Sequence, residues 1–337
     1  MKAFLFLVAL GGITGTMILS TSAARSQTTP QEVPLTERKF LALVVQSTLP
    51  RSAIDELVVD SELPLPGQAL YAKRLIFRDG GSLVIDGLSS RQDAPVLIVA
   101  QEIEIATDTR RPLLIVRWPG VIEGKAGPPG VPGEDRGSRE GQPGGSGGPG
   151  QPGIAGESGR NGPSVILLVN SIKGQFVVNL RGQPGGKGGR GGDGGRGGAG
   201  GYGNPASQSA FDCRRGPGDG GRGGQGGAAG PGGPGGSAGS GGFLTVILPN
   251  PASLPEVVML QAEPGERGPG GEAGSPGPGG PGGRVGQEAL PWCRQTASNG
   301  VPGSGGPKAS PGSSGDPGTS GSIRFLRSSE FGYLVPW

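Results

Sequence analysis

Glycine occupies every third position through long stretches of this sequence, and this period constrains the fold more than any other feature. It suits an extended helix with three residues per turn, because one side of such a helix carries no side chain and another chain can approach closely. Glycine contributes 74 of 337 residues, about three times its usual share of roughly 7%, so one ordinary packed core cannot run through the whole chain. The strict runs span 141–162, 182–203, 218–242, 265–286 and 300–321, with one miss at Ala309, and a looser prelude spans 124–133.

Two arrangements of extended helices use this period. In collagen, three chains coil together and the positions between glycines are usually filled. In a polyglycine-II bundle, straight helices of one chain lie side by side, and more than one side must be bare. The tract 182–203 has glycine at two positions of three, which favours the bundle. Parts of 124–163 are collagen-like, so a collagen-like trimer stays an alternative, and a flexible linker is another, although a linker needs no register.

The projecting side chains of the tract 182–203 share one phase and therefore one ridge, at intervals of about 9 Å. Four of them form a possible ligand ridge, in which an aromatic ring and cations face a glycan. A solvated ridge without a ligand is the alternative. These four residues are Lys187, Arg190, Arg196 and Tyr202.

Short runs rich in Val, Ile and Leu separate the glycine tracts, and their length and β-branched content predict strands. Similar units lie close together between 72 and 118. Upstream, Thr36 could cap a short helix that carries Phe40, Leu43 and Val44 and ends at Pro50. We predict a fold that is mainly β plus polyglycine-II, with a parallel β-helix-like strand core, bundled glycine-rich helices, and this N-terminal helix capping the strand stack.

These patterns divide the chain into nine stretches. They are a signal peptide (1–26), an N-terminal segment with the capping helix (27–62), the strand core (63–123), a collagen-like tract (124–163), a strand pair (164–181), Gly-Gly-X tracts (182–242), a second strand pair (243–264), Gly-X-Y tracts with Cys293 (265–322) and a C-terminal strand (323–337).

The first residues predict export. Lys2 precedes an apolar stretch and then small residues up to Ala24, which is typical of a cleaved secretory signal, and a retained membrane anchor is the alternative. Removal of Lys2 and Arg25 would lower the net charge from +3 to +1, which gives no general attraction to nucleic acid. We expect a secreted or cell-surface chain, extracellular or periplasmic, with no membrane span after signal cleavage.

The cysteines and the absence of histidine limit the chemistry. In an oxidising compartment Cys213 and Cys293 are expected to form one disulfide, with two free thiols as the alternative. No histidine is present, which excludes His-dependent triads and zinc sites, and we predict no cofactor and no metal. Calcium binding by Asp193, Asp219 or Asp316 is not favoured, since no spaced acidic loop holds them.

Acidic and basic residues of the strand units are the candidates for carbohydrate chemistry. Glu102 and Glu104 share one face of a strand, and alternation alone predicts such charges as outward and solubilising. A pair of carboxylates would also suit a glycosidase. The full set is Asp79, Asp86, Asp93, Glu102, Glu104 and Arg117.

Three resemblances follow from these motifs. GGKGGRGGDGGRGGAGGYGNP resembles the glycine-rich antifreeze protein of snow fleas and the glycine-rich motifs of phage tail-fibre adhesins, which implies a polyglycine-II bundle. AKRLIFRDGGSLVIDG and SVILLVNSIKGQFVVNLRGQPGG resemble coils of secreted bacterial right-handed parallel β-helix proteins with glycine-rich insertions. GKAGPPGVPGEDRG resembles bacterial collagen-like surface proteins. Together they cover about residues 50–337, and Lys187, Arg190 and Arg196 depart from the small uncharged residues of the snow-flea protein.

We therefore expect a secreted, non-catalytic structural, matrix or surface-adhesion protein. Its expected partners are further copies of itself, extracellular matrix or a cell-surface glycan. The alternatives are an ice- or glycan-binding module and a carbohydrate-active enzyme on the strand core.

Overall fold

Parallel β-sheets are the main regular structure in the described part of this chain. The computed structural model describes residues 53–328 except 66, 88–93, 107–110, 138–139, 210, 251–256, 289–292 and 294–295. The predicted signal peptide and the predicted helix at 36–50 lie outside the described residues. Within them, the prediction of a mainly β fold with parallel strands is confirmed.

Thirteen strands are described. Their bounds are β1 Ile54–Val59, β2 Glu62–Pro64, β3 Ala69–Phe77, β4 Ser82–Asp86, β5 Val96–Ile105, β6 Leu114–Arg117, β7 Ser164–Lys173, β8 Phe176–Asn179, β9 Ser207–Gln208, β10 Cys213–Arg215, β11 Phe243–Leu248, β12 Val258–Gln261 and β13 Ile323–Arg327.

Apart from the β9–β10 hairpin, successive strands alternate between two parallel sheets. One sheet has the order β1-β3-β5-β7-β11-β13, and we call it sheet A; the other, sheet B, has the order β2-β4-β6-β8-β12. Each pair of strands along the chain therefore stacks on the previous pair, with like positions aligned, as in Val99 opposite both Tyr71 and Leu168.

The main core lies between the sheets. Alternate residues point inward along much of each strand, as the two-residue period predicts, with a change of phase in β5 between Ala100 and Ile103. Leu75, Ile103, Leu167 and Leu244 from sheet A are fully buried in one cluster with Leu83 of sheet B and its neighbours. Apolar residues on the other side of sheet A form a second buried cluster, which includes Leu97, Val99 and Ile166. Both faces of sheet A are therefore apolar, which explains its nearly continuous Val, Ile and Leu runs.

The glycine tracts extend from the strands as six long segments. We name them G1 (121–136), G2 (141–163), G3 (181–206), G4 (217–242), G5 (262–288) and G6 (298–322). G1 follows β6 of sheet B, and G2 leads into β7 of sheet A. G3 and G4 likewise connect β8 to β11, and G5 and G6 connect β12 to β13. Each pair of segments thus replaces one crossing from sheet B to sheet A.

Hydrogen bonds arrange these segments in two layers. G1, G3 and G5 run parallel in the first layer, with bonds such as Gly127 N–H to Arg190 O and Gly188 N–H to Pro269 O. G2, G4 and G6 run parallel in the second layer. Bonds between the layers, such as Gly192 N–H to Gln151 O, join antiparallel segments. The bonds recur every third residue.

Each layer continues one sheet. Sheet B has the strand order β6-β8-β12, and G1, G3 and G5 keep that order; sheet A passes its order to G2, G4 and G6 in the same way. The bonding runs on without a break, since Leu180 N–H donates to Gln261 O and Gly182 N–H to Glu263 O. Side chains fill the space between the layers in the strand part, and bare backbones fill it in the glycine part.

Four strands lie where none was expected. β9 and β10 interrupt the predicted Gly-Gly-X tracts, and β1 and β2 fall within or at the edge of the stretch 27–62, which was predicted to be an N-terminal segment with a capping helix. β1 pairs in register with β3, from Ile54 opposite Ala72 to Val59 opposite Phe77. Its exposed residues Asp55 and Glu56 are held by Lys73 and Arg74 of that neighbour, so the charges that hide the strand pattern in the sequence are paired across the sheet.

Candidate binding surface

The three residues of each glycine triplet face three different directions. In G3, a Cβ added at Gly188 would lie 2.0 Å from Gly233 O of G4, and one added at Gly189 would lie 1.9 Å from Lys125 O of G1. Real Cβ atoms do not approach backbone so closely, and therefore both positions require glycine. The third residue, Arg190, faces away from both neighbours and is exposed.

The two central segments explain the Gly-Gly-X pattern. G3 contacts G1, G2, G4 and G5, and one of its triplets makes four backbone hydrogen bonds: Gly188 and Gly189 each donate one, and Gly189 and Arg190 each accept one. G4 is bonded in the same way to G2, G3, G5 and G6. Segments with neighbours on two flanks need two bare positions, whereas the outer segments G1, G2, G5 and G6 can carry more side chains.

The predicted ligand ridge lies along the outer side of G3. Lys187, Arg190, Arg196 and Tyr202 are all exposed, Tyr202 by 56%. Arg190 is not free, because its guanidinium lies 2.7 Å from Asp193 Oδ1 and 3.3 Å from Ser275 Oγ. The Ser275 N–H donates to the same Asp193 oxygen at 2.7 Å, and this bond, with help from Arg190, lowers the pKa of Asp193. This part of the ridge therefore ties G3 to G5.

The outer face of the first layer is charged. Beside the basic residues of G3, G5 carries an acidic row at the equivalent positions, Glu263, Glu266 and Glu272. Arg181 lies 3.6 Å from Glu263 at the base of the two segments. Rows of opposite sign lie next to each other on this face, which leaves little net field for an ionic ligand.

The outer face of the second layer is different, because its side chains are small and mostly uncharged. G4 presents six uncharged residues in succession at its outward positions, and the rows on G2 and G6 are of the same kind. Side chains here also bond to neighbouring backbones: Ser240 N–H donates to Asn161 Oδ1, and Thr319 N–H donates to Ser240 Oγ. The six residues on G4 are Gln225, Ala228, Pro231, Pro234, Ser237 and Ser240.

A disulfide holds the end of the bundle that is remote from the strands. Cys213 and Cys293 are bonded, with a Cα–Cα distance of 5.0 Å, which confirms the predicted pair. Cys213 begins β10, and Cys293 lies in the connection between G5 and G6. Cys293 is fully buried, with Sγ 3.5 Å from Arg215 O. The bond therefore joins two of the connections at this end.

The hairpin of β9 and β10 presents an aromatic residue that sequence reasoning missed. Gln208 pairs with Cys213, and Ser209 N–H donates to Asp212 O, which closes a tight turn. Phe211 lies in that turn and is 98% exposed. The available signal was the break in the glycine period between 203 and 218, where SQSAFDCRR interrupts an otherwise regular tract.

The strand carboxylates are engaged in ion pairs across sheet A. Arg74 lies 2.9 Å from Glu104 and 3.9 Å from Glu102, and Lys173 also pairs with Glu102. The hydrogen bond from Lys173 lowers the pKa of Glu102, which keeps that carboxylate ionised. On sheet B, Arg117 pairs with Glu62 and stands opposite Asp86. Asp79 occupies a turn at φ 49°, and Asp93 lies outside the described residues.

The three aspartates considered for calcium are dispersed. Asp193 lies on the first layer, whereas Asp219 and Asp316 lie on the second, where Asp219 accepts a bond from Ser298 N–H. Across the described ranges, no three His, Cys, Asp or Glu side chains group as metal ligands would. The same ranges contain no helix of the length and apolar character that a membrane crossing requires.

Comparison with protein-family models, with curated proteins and with solved structures gave no match to this chain.

Proposed function

We propose that this chain is a secreted structural or surface-adhesion protein, in which a parallel β-helix carries a rigid bundle of six polyglycine-II helices. The main support for this proposal is the hydrogen bonding of the glycine segments, which joins each segment to its neighbours every third residue. Isolated extended helices of this type have no internal hydrogen bonds and stay solvated. Here the backbone N–H and C=O groups are satisfied by neighbouring segments, which gives the rigidity that a structural or surface-display protein requires.

The strand arrangement supports the β-helix part of the proposal. Successive strands alternate between two parallel sheets, and each pair of strands keeps the register of the previous pair. Such a core is apolar and continuous, and a structural role for it requires no catalytic cleft. Its most conspicuous carboxylates, Glu102 and Glu104, serve the ion pairs with Arg74 and Lys173, which favours a structural role for them over acid–base chemistry.

The bundle gives the molecule reach. At about 3.1 Å per residue, the tract 182–203 spans roughly 70 Å from the strands to the far connections. Such a projection holds whatever lies at its end well away from the core. Display at a distance is useful to an adhesin or a matrix component, and it has no evident use in a soluble enzyme.

A binding module for ice or for glycan is the second candidate, and the second layer favours it. The charges at Lys187, Arg190 and Arg196 stand on the first layer, and the opposite face offers flat rows of small uncharged residues. A ligand with a regularly repeating surface, such as ice or a polysaccharide, would contact the outer face of the second layer.

The proposal can be tested with the mature chain under oxidising conditions. We expect a monomer by mass, an elongated particle by small-angle X-ray scattering, and retention on intact cells or extracellular matrix. A trimer would contradict the single-chain bundle. Turnover of a panel of polyuronides that disappears in Glu102→Gln would contradict the non-catalytic role.

Matched lysine variants separate adhesion from ice or glycan binding. Ala228→Lys places a charge on the second layer, and Ala199→Lys places one on the first, where both alanines are half-buried at outward positions. If the second face binds a regular surface, only Ala228→Lys lowers ice-growth inhibition or polysaccharide binding. Equal behaviour of the two variants would contradict a role for that face.

A further inference from the structure

The hairpin at the far end of the bundle has the features of a surface-penetrating tip. Phe211 occupies the turn of the β9–β10 hairpin and is 98% exposed, more than any other large apolar residue among those described. A side chain this exposed contributes nothing to folding by burial. Cys213, two residues away, is bonded to the buried Cys293, which anchors the start of β10.

Two cations follow the aromatic residue in the same hairpin. Arg214 and Arg215 are exposed, and neither forms an ion pair with a described residue. Asp212 is the opposing charge on the hairpin, which leaves it a net positive charge of one. On the rest of the bundle Arg136, Arg181 and Arg190 are paired with Glu134, Glu263 and Asp193. The tip therefore combines an apolar apex with cations that are available to an anionic surface.

The shape of the tip selects among possible partners. A glycan is usually bound on a platform or in a groove, where several side chains surround the sugar. Phe211 has no such surroundings, because almost its whole surface is exposed. An isolated ring on a convex apex can be buried by entering a soft phase such as the headgroup region of a membrane. Aromatic rings at the level of lipid headgroups, with cations near the phosphates, are a common arrangement at membrane interfaces.

We propose that the β9–β10 hairpin is a membrane-contact tip that inserts Phe211 into the headgroup region of an anionic lipid surface, with Arg214 and Arg215 at the lipid phosphates. This deepens the adhesion role proposed above and rests on it. The bundle acts as the spacer, and the disulfide fixes the turn so that little side-chain or loop freedom is lost on contact. A single tip binds weakly and reversibly, as one short apolar group does.

Vesicle binding of the oxidised full-length mature chain tests the proposal. We expect co-sedimentation with phosphatidylcholine vesicles that contain phosphatidylglycerol and much weaker binding without it. Phe211→Ala should weaken binding by about 30-fold, and Arg214→Ser or Arg215→Ser by about fivefold each with a smaller salt dependence. Phe243→Ala is the matched control, since Phe243 is 52% exposed but lies at the strand end of the bundle. It should bind as the wild type does.

A gain of signal provides a second measurement. Phe211→Trp should add a tryptophan that brominated lipids quench, over the background of the three native tryptophans. Absence of binding to anionic vesicles, or equal losses in Phe211→Ala and Phe243→Ala, would overturn the proposal. Loss of cell retention in Phe211→Ala without any vesicle binding would also overturn it and would favour a glycan or protein receptor. Wild-type cell retention by Phe211→Ala would overturn the tip but leave the adhesion role intact.

Discussion

At the scale of single residues, the glycines differ in how much space surrounds them. Gly191 of G3 faces G4, and a Cβ there would lie 2.0 Å from Gly230 O. Gly305 lies on the outer edge of G6, where the nearest atom to an added Cβ is 3.7 Å away. Neither has a positive φ, so space alone decides the cost of a side chain. The same glycine-rich composition therefore contains both obligatory and replaceable positions.

This difference predicts opposite effects of alanine. Gly191→Ala should force G3 and G4 apart and weaken their hydrogen bonds, at a cost of about 3 kcal/mol or more in the free energy of unfolding. Gly305→Ala should leave stability unchanged or raise it by about 0.5–1 kcal/mol, because it restricts the unfolded chain. Thermal and denaturant unfolding of the two variants would measure this. Similar losses for both would contradict the close packing of G3 on G4.

Ala309 shows what one misplaced methyl group does. It stands where the period of G6 calls for glycine, and the bonds from G6 to G5 include those from Gly306 and Gly312 but skip Ala309. The segment continues in register on both sides. A single miss at the edge of the bundle therefore costs one bond and leaves the order intact.

At the scale of elements, register is the property that the glycine segments must keep. In G3 the outward residues follow one phase, from Lys187 to Tyr202, and the two other phases face G4 and G1. One added residue would turn every later side chain of the segment toward a neighbouring backbone. A full added triplet would not.

An insertion between Gly191 and Gly192 tests this register. One added residue should bring Asp193 and Arg196 against backbone, which costs several kcal/mol and lowers the melting temperature by on the order of 10 °C. An added Gly-Ala-Gly triplet should do much less, because its alanine takes an outward position and every later residue keeps its phase. Limited proteolysis should then cut 182–242 in the first variant and spare it in the second. Equal cleavage of both would mean that the tracts behave as linkers.

Much of this architecture could be predicted from the sequence, and the reasons for the failures are physical. The period of three shows how many sides of a segment are bare, which is why 182–203 indicated several neighbours. It does not show which neighbours they are, because partners such as Ser240 and Thr319 lie 79 residues apart in the chain. Strands β1 and β2 were missed because charged residues interrupt their apolar pattern in the sequence, and the ion pairs that accommodate these charges are visible only in the sheet. Phe211 was missed because a turn residue follows no period.

At the scale of the whole molecule, the strands hold one end of the bundle and the disulfide holds the other. The bond between Cys213 and Cys293 spans 80 residues and joins the G3–G4 connection to the G5–G6 connection. Glycine loses more backbone entropy on folding than any other residue, so both ends need to be fixed.

Replacing Cys213 and Cys293 by Ser should lower the free energy of unfolding of the bundle by about 4–5 kcal/mol on the chain-entropy model. Reduction of the wild type should have the same effect, and the reductant should not change the double variant. The strand part should stay folded, which Trp118 can report because its indole N–H donates to Arg181 O where the bundle begins. Loss of the strand signal together with the bundle would show that the two parts unfold as one unit.

Because each layer of glycine segments continues one sheet, the width of the bundle and its length depend on different features of the sequence. The last three strands of sheet A, β7, β11 and β13, recur at a constant interval, since Phe243 pairs with Ser164 and Leu244 with Ile323. One such interval adds one coil of strands and one segment to each layer, so duplication of that unit would widen the bundle without lengthening it. Triplets added at matching places in every segment would lengthen it without widening it. A gene of this design can therefore tune footprint and reach independently, by copying whole units in one case and nine-nucleotide blocks in the other.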